Sequence, residues 1–210
     1  MELVRGGSLE ARRARFGESA WALPILGQIA AGLAALHDAG VVHRDLKPGN
    51  VLLAGEPSSP VAKISDFGIS RFGALDAAAS IDADAPTMAA GLPAPGPVVT
   101  ATGVIMGTPL YMAPEATRGG RAIDTPADVF AFGILAYEML TGRSPYEVPP
   151  VMLTIAGQPI PTPAVIEDDR IPPAVRARVF DCLATDPKSR PRVSELVAAL
   201  SEAAAKPVPT

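Results

Sequence analysis

The sequence has very little cysteine: Cys182 is the single example among 210 residues. One thiol cannot form a disulfide within the chain, and it cannot supply a cysteine-based zinc site. A protein that uses so little cysteine fits a reducing compartment. We therefore expect a cytoplasmic protein in which Cys182 is a small, buried, apolar side chain.

Clusters of positive charge are also missing. The chain has 18 Lys and Arg against 22 Asp and Glu, a net charge of −4, and its basic residues form no run. A protein that binds the phosphate backbone of nucleic acid needs clustered lysine and arginine. Nucleic acid is therefore not an expected partner.

Uninterrupted apolar runs of membrane-spanning length are absent as well. Residues 20–36 are mostly apolar, but Pro24 and Gly32 interrupt them, and the large side chains recur at helical spacing. Residues 129–140 are too few to cross a bilayer, and they include Glu138. The N-terminus has no charged leader followed by an apolar run, so neither a signal peptide nor a membrane segment is expected.

What the sequence does contain is enough apolar material for a core, 48% against 19% charged residues. This balance predicts one globular domain, or the larger half of a two-lobed one. Capping and breaking residues predict a mostly helical α+β protein with a few short strands. The predicted helices are a short one after Ser8, then 19–40 with Ser19 as the cap, 126–140, 173–183 and 193–204. The predicted strands are 41–42, 51–53 and 61–64.

Two stretches carry no regular pattern. Pro149-Pro150 and residues 158–163 are rich in proline, so we expect turns there. Residues 73–99 consist largely of Ala, Pro, Gly and Asp, which predicts a long mobile loop.

The strongest chemical signal is the run His-Arg-Asp-Leu-Lys-Pro-Gly-Asn at 43–50, followed by Asp-Phe-Gly at 66–68. Phosphoryl transfer needs a carboxylate that orients the attacking hydroxyl, a cation near the migrating group, and oxygen ligands for Mg²⁺. Asp45, Lys47, Asn50 and Asp66 are residues of these types. The two motifs together therefore predict a phosphoryl-transfer site.

These motifs resemble the catalytic loop and the Mg²⁺-binding motif of the protein kinase family. The resemblance implies that Asp45 is the catalytic base, that Lys47 binds the γ-phosphate, and that Asn50 and Asp66 are metal ligands. It also implies ATP and Mg²⁺ as cofactors and a protein substrate with a Ser or Thr acceptor. Lys47 is typical of the Ser/Thr-specific kinases, here of the bacterial type. The neighbouring residues with implied structural roles are His43, Arg44, Phe67 and Gly68.

Residues 107–115 resemble the end of the kinase activation segment, in which Thr108 would support Asp45. The resemblance implies an ion pair between Glu115 and Arg190, and hydrogen bonds from the catalytic-loop backbone to Asp128. Each of these charged residues could instead be an ordinary surface or helix-terminal charge.

Residues 1–9 resemble the hinge between the two lobes of a kinase. The backbone of Glu2 and Val4 would then bind the adenine, with Leu52 below it. The expected domain is a C-terminal lobe at 1–204 that lacks the β-rich N-terminal lobe and is followed by a tail at 205–210. Within it, 1–7 would be the hinge and 66–115 the activation segment. The chain has no G-x-G-x-x-G, so we expect no phosphoryl transfer by it alone.

Arg44 would bind a phosphate on the activation segment, with Thr100 and Thr102 as the expected acceptors. Two other functions remain open. A kinase-like lobe could bind partners without catalysis. A small-molecule phosphotransferase shares an Asp and an Asn at this spacing, but it would lack the Thr108 region and the Ala-Pro-Glu at 113–115.

Overall fold

A computed structural model describes residues 6–56, 58–66, 109–118 and 124–205. The helices in these ranges are α1 (Ser19–Asp38), α2 (Thr125–Thr141), α3 (Pro150–Ile155), α4 (Pro173–Cys182) and α5 (Val193–Ala205), and the strands are β1 (Val51–Glu56) and β2 (Ser59–Ile64). Short 3-10 helices lie at Leu9–Arg15, Pro48–Asn50, Pro109–Tyr111, Pro114–Arg118 and Pro187–Ser189. This content agrees with the predicted, mainly helical α+β class.

Helix α2 is the centre of the core. Asp124 precedes it and accepts the Thr125 N–H, and Gly142 ends it in the left-handed conformation with a φ of 72°. Every residue from 127 to 140 is buried. A helix that is apolar on all sides must pack on all sides, so the polar residues that it does carry are held inside the protein.

Helix α1 packs against α5, β2 and α2. It begins at Ser19, which is buried in the first turn, and Glu18 takes the cap position without a side-chain cap bond. The prediction of Ser19 as the cap was therefore wrong by one residue. Among the described helices, α1 has the length and apolar composition of a membrane span. Its buried apolar residues belong to the core cluster of the protein.

The two strands form an antiparallel hairpin whose outer edges are both covered. On the β1 side, the Leu53 N–H donates to the Gly7 carbonyl at 2.9 Å. On the β2 side, Gln28 of α1 donates to the Pro60 carbonyl at 3.2 Å and accepts the Ala62 N–H at 2.7 Å. Covered edges hold the hairpin in place, and residues 43–50 lead directly into it.

Two further local predictions differ from the structure. Residues 41–42 form no strand, because the Val41 N–H turns back to close the end of α1 on the Leu36 carbonyl at 2.9 Å. The expected turn at Pro149-Pro150 begins helix α3 instead. Proline is well tolerated in a first helical turn, and burial of Val151 and Leu153 favours the helix.

Cys182 lies at the end of α4 and is fully buried, as the sequence predicts. Burial raises the pKa of its thiol. A buried thiol with a raised pKa is a packing residue rather than a nucleophile. Its Cβ lies against Gly133 of α2, and a methyl group added to that glycine would be only 2.6 Å away.

We expect Gly133→Ala to destabilise the fold by about 1–3 kcal/mol, because the added methyl group overpacks the contact between α2 and α4. The matched control is Gly27→Ala in α1. There the nearest atom to an added Cβ is the Leu200 Cβ, 3.9 Å away. The control should be neutral or stabilising by up to about 1 kcal/mol, since alanine favours helix. Urea unfolding measures both, and equal effects would contradict the close packing at Gly133.

Candidate active site

The loop between α1 and β1 is held by one buried carboxylate. Asp128, at the start of α2, is 1% exposed and accepts the backbone N–H groups of His43 and Arg44, each at 2.7 Å. The Nε2 atom of His37 lies 2.9 Å from the same carboxylate. Arg44 has a φ of 68°, a strained conformation for a residue other than glycine. The contacts from Asp128 therefore hold the loop backbone in a shape that it would not adopt alone.

His43 links this loop to the end of β2. The Asp45 N–H donates to Nδ1 of His43 at 3.2 Å, and Nε2 lies 3.0 Å from the Ser65 carbonyl. Because Nδ1 accepts a hydrogen bond, the network assigns the hydrogen to Nε2, which donates to Ser65. The ring is fully buried, so it is a fixed bridge between Asp45 and the residue that precedes Asp66.

The side chain of Asp45 is oriented by two donors. Lys47 Nζ lies 2.9 Å from Oδ2, and the Asn50 amide donates to the same oxygen at 3.0 Å and to the Asp45 main-chain carbonyl at 2.8 Å. Within the described ranges, no donor binds Oδ1. The Asp45 side chain is 22% exposed and that of Lys47 is 26% exposed. The arrangement leaves one carboxylate oxygen able to accept a hydrogen bond from a bound hydroxyl, with a cation beside it.

Asn50 and Asp66 lie at the same end of the hairpin. The Ser65 N–H donates to the Asn50 carbonyl at 2.8 Å, which continues the pairing of β1 with β2. Asp66 follows with a φ of 56°, and its exposed carboxylate accepts the Ser65 hydroxyl at 3.3 Å. The hairpin thus brings together Asn50 and Asp66, the two residues that the motifs predict as metal ligands.

This donor set fits Mg²⁺. Carboxylate and amide oxygens are the ligands that Mg²⁺ takes, usually few from the protein and the rest from phosphates and water. The part of the chain that the structure describes contains no group of three or more His, Cys, Asp or Glu that could hold a metal. The residues therefore fit a metal shared with a bound phosphate better than one enclosed by protein.

The predicted contact between Glu115 and Arg190 is present and is bidentate. The two Nη–Oε distances are 2.6 and 2.9 Å, and the side chains are 7% and 0% exposed. Arg190 also donates to the main-chain carbonyls of Ala184 and Pro126 at 2.8 and 2.9 Å. Its guanidinium lies 4.7 Å from the ring centroid of Phe130. The pair ties residues 109–118 to α2 and to the segment before α5.

Among the residues predicted to bind adenine, Leu52 is the one that the structure describes. It is half-buried on β1 and forms an isolated bridge with Ser8, next to the predicted hinge. The other predicted residues still to be placed fall outside the described ranges: Glu2, Val4, Phe67, Gly68, Thr100, Thr102 and Thr108. The expected mobile segment at 73–99 and the tail from 206 onward fall outside them too.

Sequence reasoning missed His37 and Gln28, both on α1. His37 is one of only two histidines in the chain and comes six residues before the other, His43. This closeness in sequence could have indicated that both belong to the same site. Gln28 is a polar residue in the apolar middle of α1, and its hydrogen bonds to the edge of β2 explain why it is there. Tyr111, Glu138 and Arg13 were also missed, because nothing local marks them as partners.

Comparison with known proteins agrees with the motifs. Residues 1–200 match the family model described as the protein kinase domain. The Serine/threonine-protein kinase pkn2 of Myxococcus xanthus is 41% identical over 61% of this chain and 13% of its own length. PknL of Mycobacterium tuberculosis (strain CDC 1551 / Oshkosh) is 38% identical over 70% of this chain and 31% of its own. PknA of Mycobacterium tuberculosis (strain ATCC 25177 / H37Ra) is 37% identical over 91% of this chain and 39% of its own length. The chain therefore spans well under half the length of these relatives.

Proposed function

Because this chain belongs to the protein kinase family, we propose that it is the C-terminal lobe of a Ser/Thr protein kinase. The proposed reaction moves the γ-phosphoryl group of ATP to a Ser or Thr hydroxyl of a protein substrate, with Mg²⁺. The relatives named above are all called serine/threonine-protein kinases. The lobe assignment rests on the likeness of residues 1–9 to a hinge and covers residues 1–204.

The observation that supports this reaction best is the environment of Asp45. Its Oδ2 atom is occupied by Lys47 and Asn50, and its Oδ1 atom has no donor among the described residues. A substrate hydroxyl that donates to Oδ1 would have its oxygen lone pairs directed at the γ-phosphorus. A new oxygen–phosphorus bond forms, the bond from the γ-phosphorus to the β–γ bridging oxygen breaks, ADP leaves, and the hydroxyl proton passes to Asp45.

Lys47, and Asn50 and Asp66 at the end of the hairpin, would interact with the phosphates of ATP. The Lys47 ammonium group, 2.9 Å from Asp45, is close enough to balance negative charge on the migrating phosphoryl group. Asn50 and Asp66 would hold Mg²⁺, which when bound neutralises charge on the phosphate oxygens. Arg44 and Asp66 both have strained backbones with positive φ. Asp128 holds the backbone of Arg44, and the hairpin holds that of Asp66. The side chains of Asp45 and Asp66 are therefore oriented before the substrates arrive.

The remaining roles in this proposal come from the family resemblance. The backbone of Glu2 and Val4 binds adenine above Leu52, and Thr108 supports Asp45. Residues 66–115 form the activation segment. Arg44 receives a phosphate on Thr100 or Thr102, an assignment that phosphopeptide mapping after autophosphorylation would overturn by locating the phosphate elsewhere.

The experiment that tests the function compares the 210-residue chain alone with the same chain joined behind the β-rich lobe of a related kinase. The chain alone is expected to transfer no labelled phosphate, because it contains no G-x-G-x-x-G loop to enclose the ATP phosphates. The joined protein should phosphorylate Ser or Thr in a generic protein substrate in the presence of Mg²⁺. Transfer by the chain alone would refute the need for a second lobe. An inactive joined protein that still binds partner proteins would favour the non-catalytic binding module.

A further inference from the structure

A groove lies beside the end of the hairpin, and the four residues proposed for phosphoryl transfer are not among those that line it. It encloses about 450 Å³ between the 3-10 helix Leu9–Arg15, the start of α1 and the end of the β1–β2 hairpin. Two sets of side chains face it. The helices contribute Arg12, Arg15 and Trp21, and the hairpin contributes Ala54, Glu56 and Pro60. The groove is therefore a surface separate from the candidate active site.

Trp21 is the only tryptophan in the chain, and it is half-buried at this groove. The Arg15 guanidinium lies 4.7 Å from its ring centroid, and the centroid of the Phe16 ring is 6.4 Å away. These contacts hold the indole in one place, partly through a cation–π interaction. Tryptophan and arginine are also the side chains that contribute most often to the energy of protein–protein contacts. A fixed tryptophan beside two arginines is thus typical of a binding surface.

The two arginines leave positive charge at this side of the groove. Arg12 donates to the Gly6 carbonyl over 3.4 Å, and no carboxylate among the described residues pairs with it. Arg15 donates from Nε and Nη2 to Oε2 of Glu18 at 3.0 and 2.7 Å, and about half of each side chain in this pair is exposed. An exposed pair of this kind contributes little to stability, so an incoming carboxylate can compete with Glu18 for Arg15.

The hairpin side of the groove has a different character. Ala54 and Pro60 are apolar and half-buried, and Glu56 is exposed at the end of β1. An occupant that matches both sides presents carboxylates to the arginines, apolar side chains to the hairpin, and no negative charge next to Glu56. An extended peptide can do this, because its successive side chains point in opposite directions.

We propose that this groove, here called the Trp21 groove, binds a short acidic segment of a partner protein in an extended conformation. The carboxylates of the segment accept charge-assisted hydrogen bonds from Arg12 and Arg15. Its aliphatic side chains cover Trp21 and pack on Pro60. The expected dissociation constant is on the order of 10⁻⁵–10⁻⁴ M, as suits a small transient interface. Binding does not require phosphoryl transfer, so the 210-residue chain alone tests it.

Fluorescence of Trp21 reports occupation of the groove directly, because no other tryptophan contributes to the signal. The probe is the peptide acetyl-Gly-Glu-Leu-Glu-Val-Thr-Gly-amide, and its control has Lys in place of both Glu residues. The acidic peptide should shift the tryptophan emission to shorter wavelength as it displaces water, and the basic one should not. An absent shift, or an equal shift with both peptides, would refute the proposal. A shift that grows with chain concentration in the absence of peptide would assign the groove to a second copy of the chain instead.

Arg12→Gln locates the binding, since it keeps most of the side-chain length and removes the charge that has no carboxylate partner among the described residues. Its dissociation constant for the acidic peptide, measured by the same tryptophan shift, should be at least about fivefold weaker than that of the parent. The matched control is Arg192→Gln, which removes the same charge from an exposed residue that does not line the groove. The control should stay within about twofold of the parent. Equal weakening in both variants would mean that overall charge attracts the peptide, and it would overturn the assignment of the groove.

Discussion

Replacing Asp45 by Asn in the joined protein is expected to lower kcat by about 10²–10⁴-fold, the usual contribution of a positioned general base. Asparagine has nearly the same volume as aspartate, and its amide oxygen can still accept hydrogen bonds from Lys47 and Asn50. It cannot take up the proton of the substrate hydroxyl, and it carries no charge. The loss should therefore fall on the transfer step, with the KM for ATP within about twofold of the parent.

The control for this variant is Asp169→Asn. The Asp169 side chain is fully exposed, and its nearest ion-pair partner, Arg176, lies 3.9 Å away. The substitution removes the same charge from an exposed residue whose ion pair does not involve the proposed site, so kcat should stay within about twofold of the parent. A fall of similar size in both variants would mean that net charge, not the base, controls the rate. An Asp45→Asn variant with normal turnover would exclude Asp45 as the base.

Arg190→Ala is expected to destabilise the fold by about 3–5 kcal/mol, because it leaves the Glu115 carboxylate buried without its partner. It also removes three hydrogen bonds to main-chain carbonyls and the stacking over Phe130. Urea unfolding of the 210-residue chain measures the loss. The control is Arg178→Ala, an exposed residue that pairs with Asp181 at 3.0 Å, which should cost less than about 1 kcal/mol.

The double variant Glu115→Gln with Arg190→Met keeps the prediction testable if Arg190→Ala does not fold. Removing both charges avoids an unpaired buried ion, so the double variant should recover a large part of the stability. If instead the two single losses add, the residues do not act as a pair. If Arg190→Ala costs no more than Arg178→Ala, the buried pair contributes nothing beyond a surface one.

Residues close in sequence largely determine where the helices form and which side chains make up the candidate site. Helix α2 is predictable from its apolar run between Pro126 and Gly142. The proline favours the start of the helix and the glycine favours its end, and each affects only the adjacent turn. The same reasoning missed α3, because it predicts a turn at Pro150 although proline also suits a first helical turn. Local preference is ambiguous at such positions, and burial of Val151 and Leu153 decides between the two.

The sequence by itself determined that Asp45, Lys47 and Asn50 lie together in the candidate site, because they are within six positions and a single tight loop brings them together. It also determined, through the family resemblance, that Glu115 and Arg190 belong together. Tertiary structure alone decided that Asp128 binds His37 across 91 residues, and that Arg13 reaches Tyr111 across 98 and Glu138 across 125. Helical and strand preferences act over a few neighbouring residues, whereas contacts at these separations depend on how the apolar faces of α1 and α2 pack.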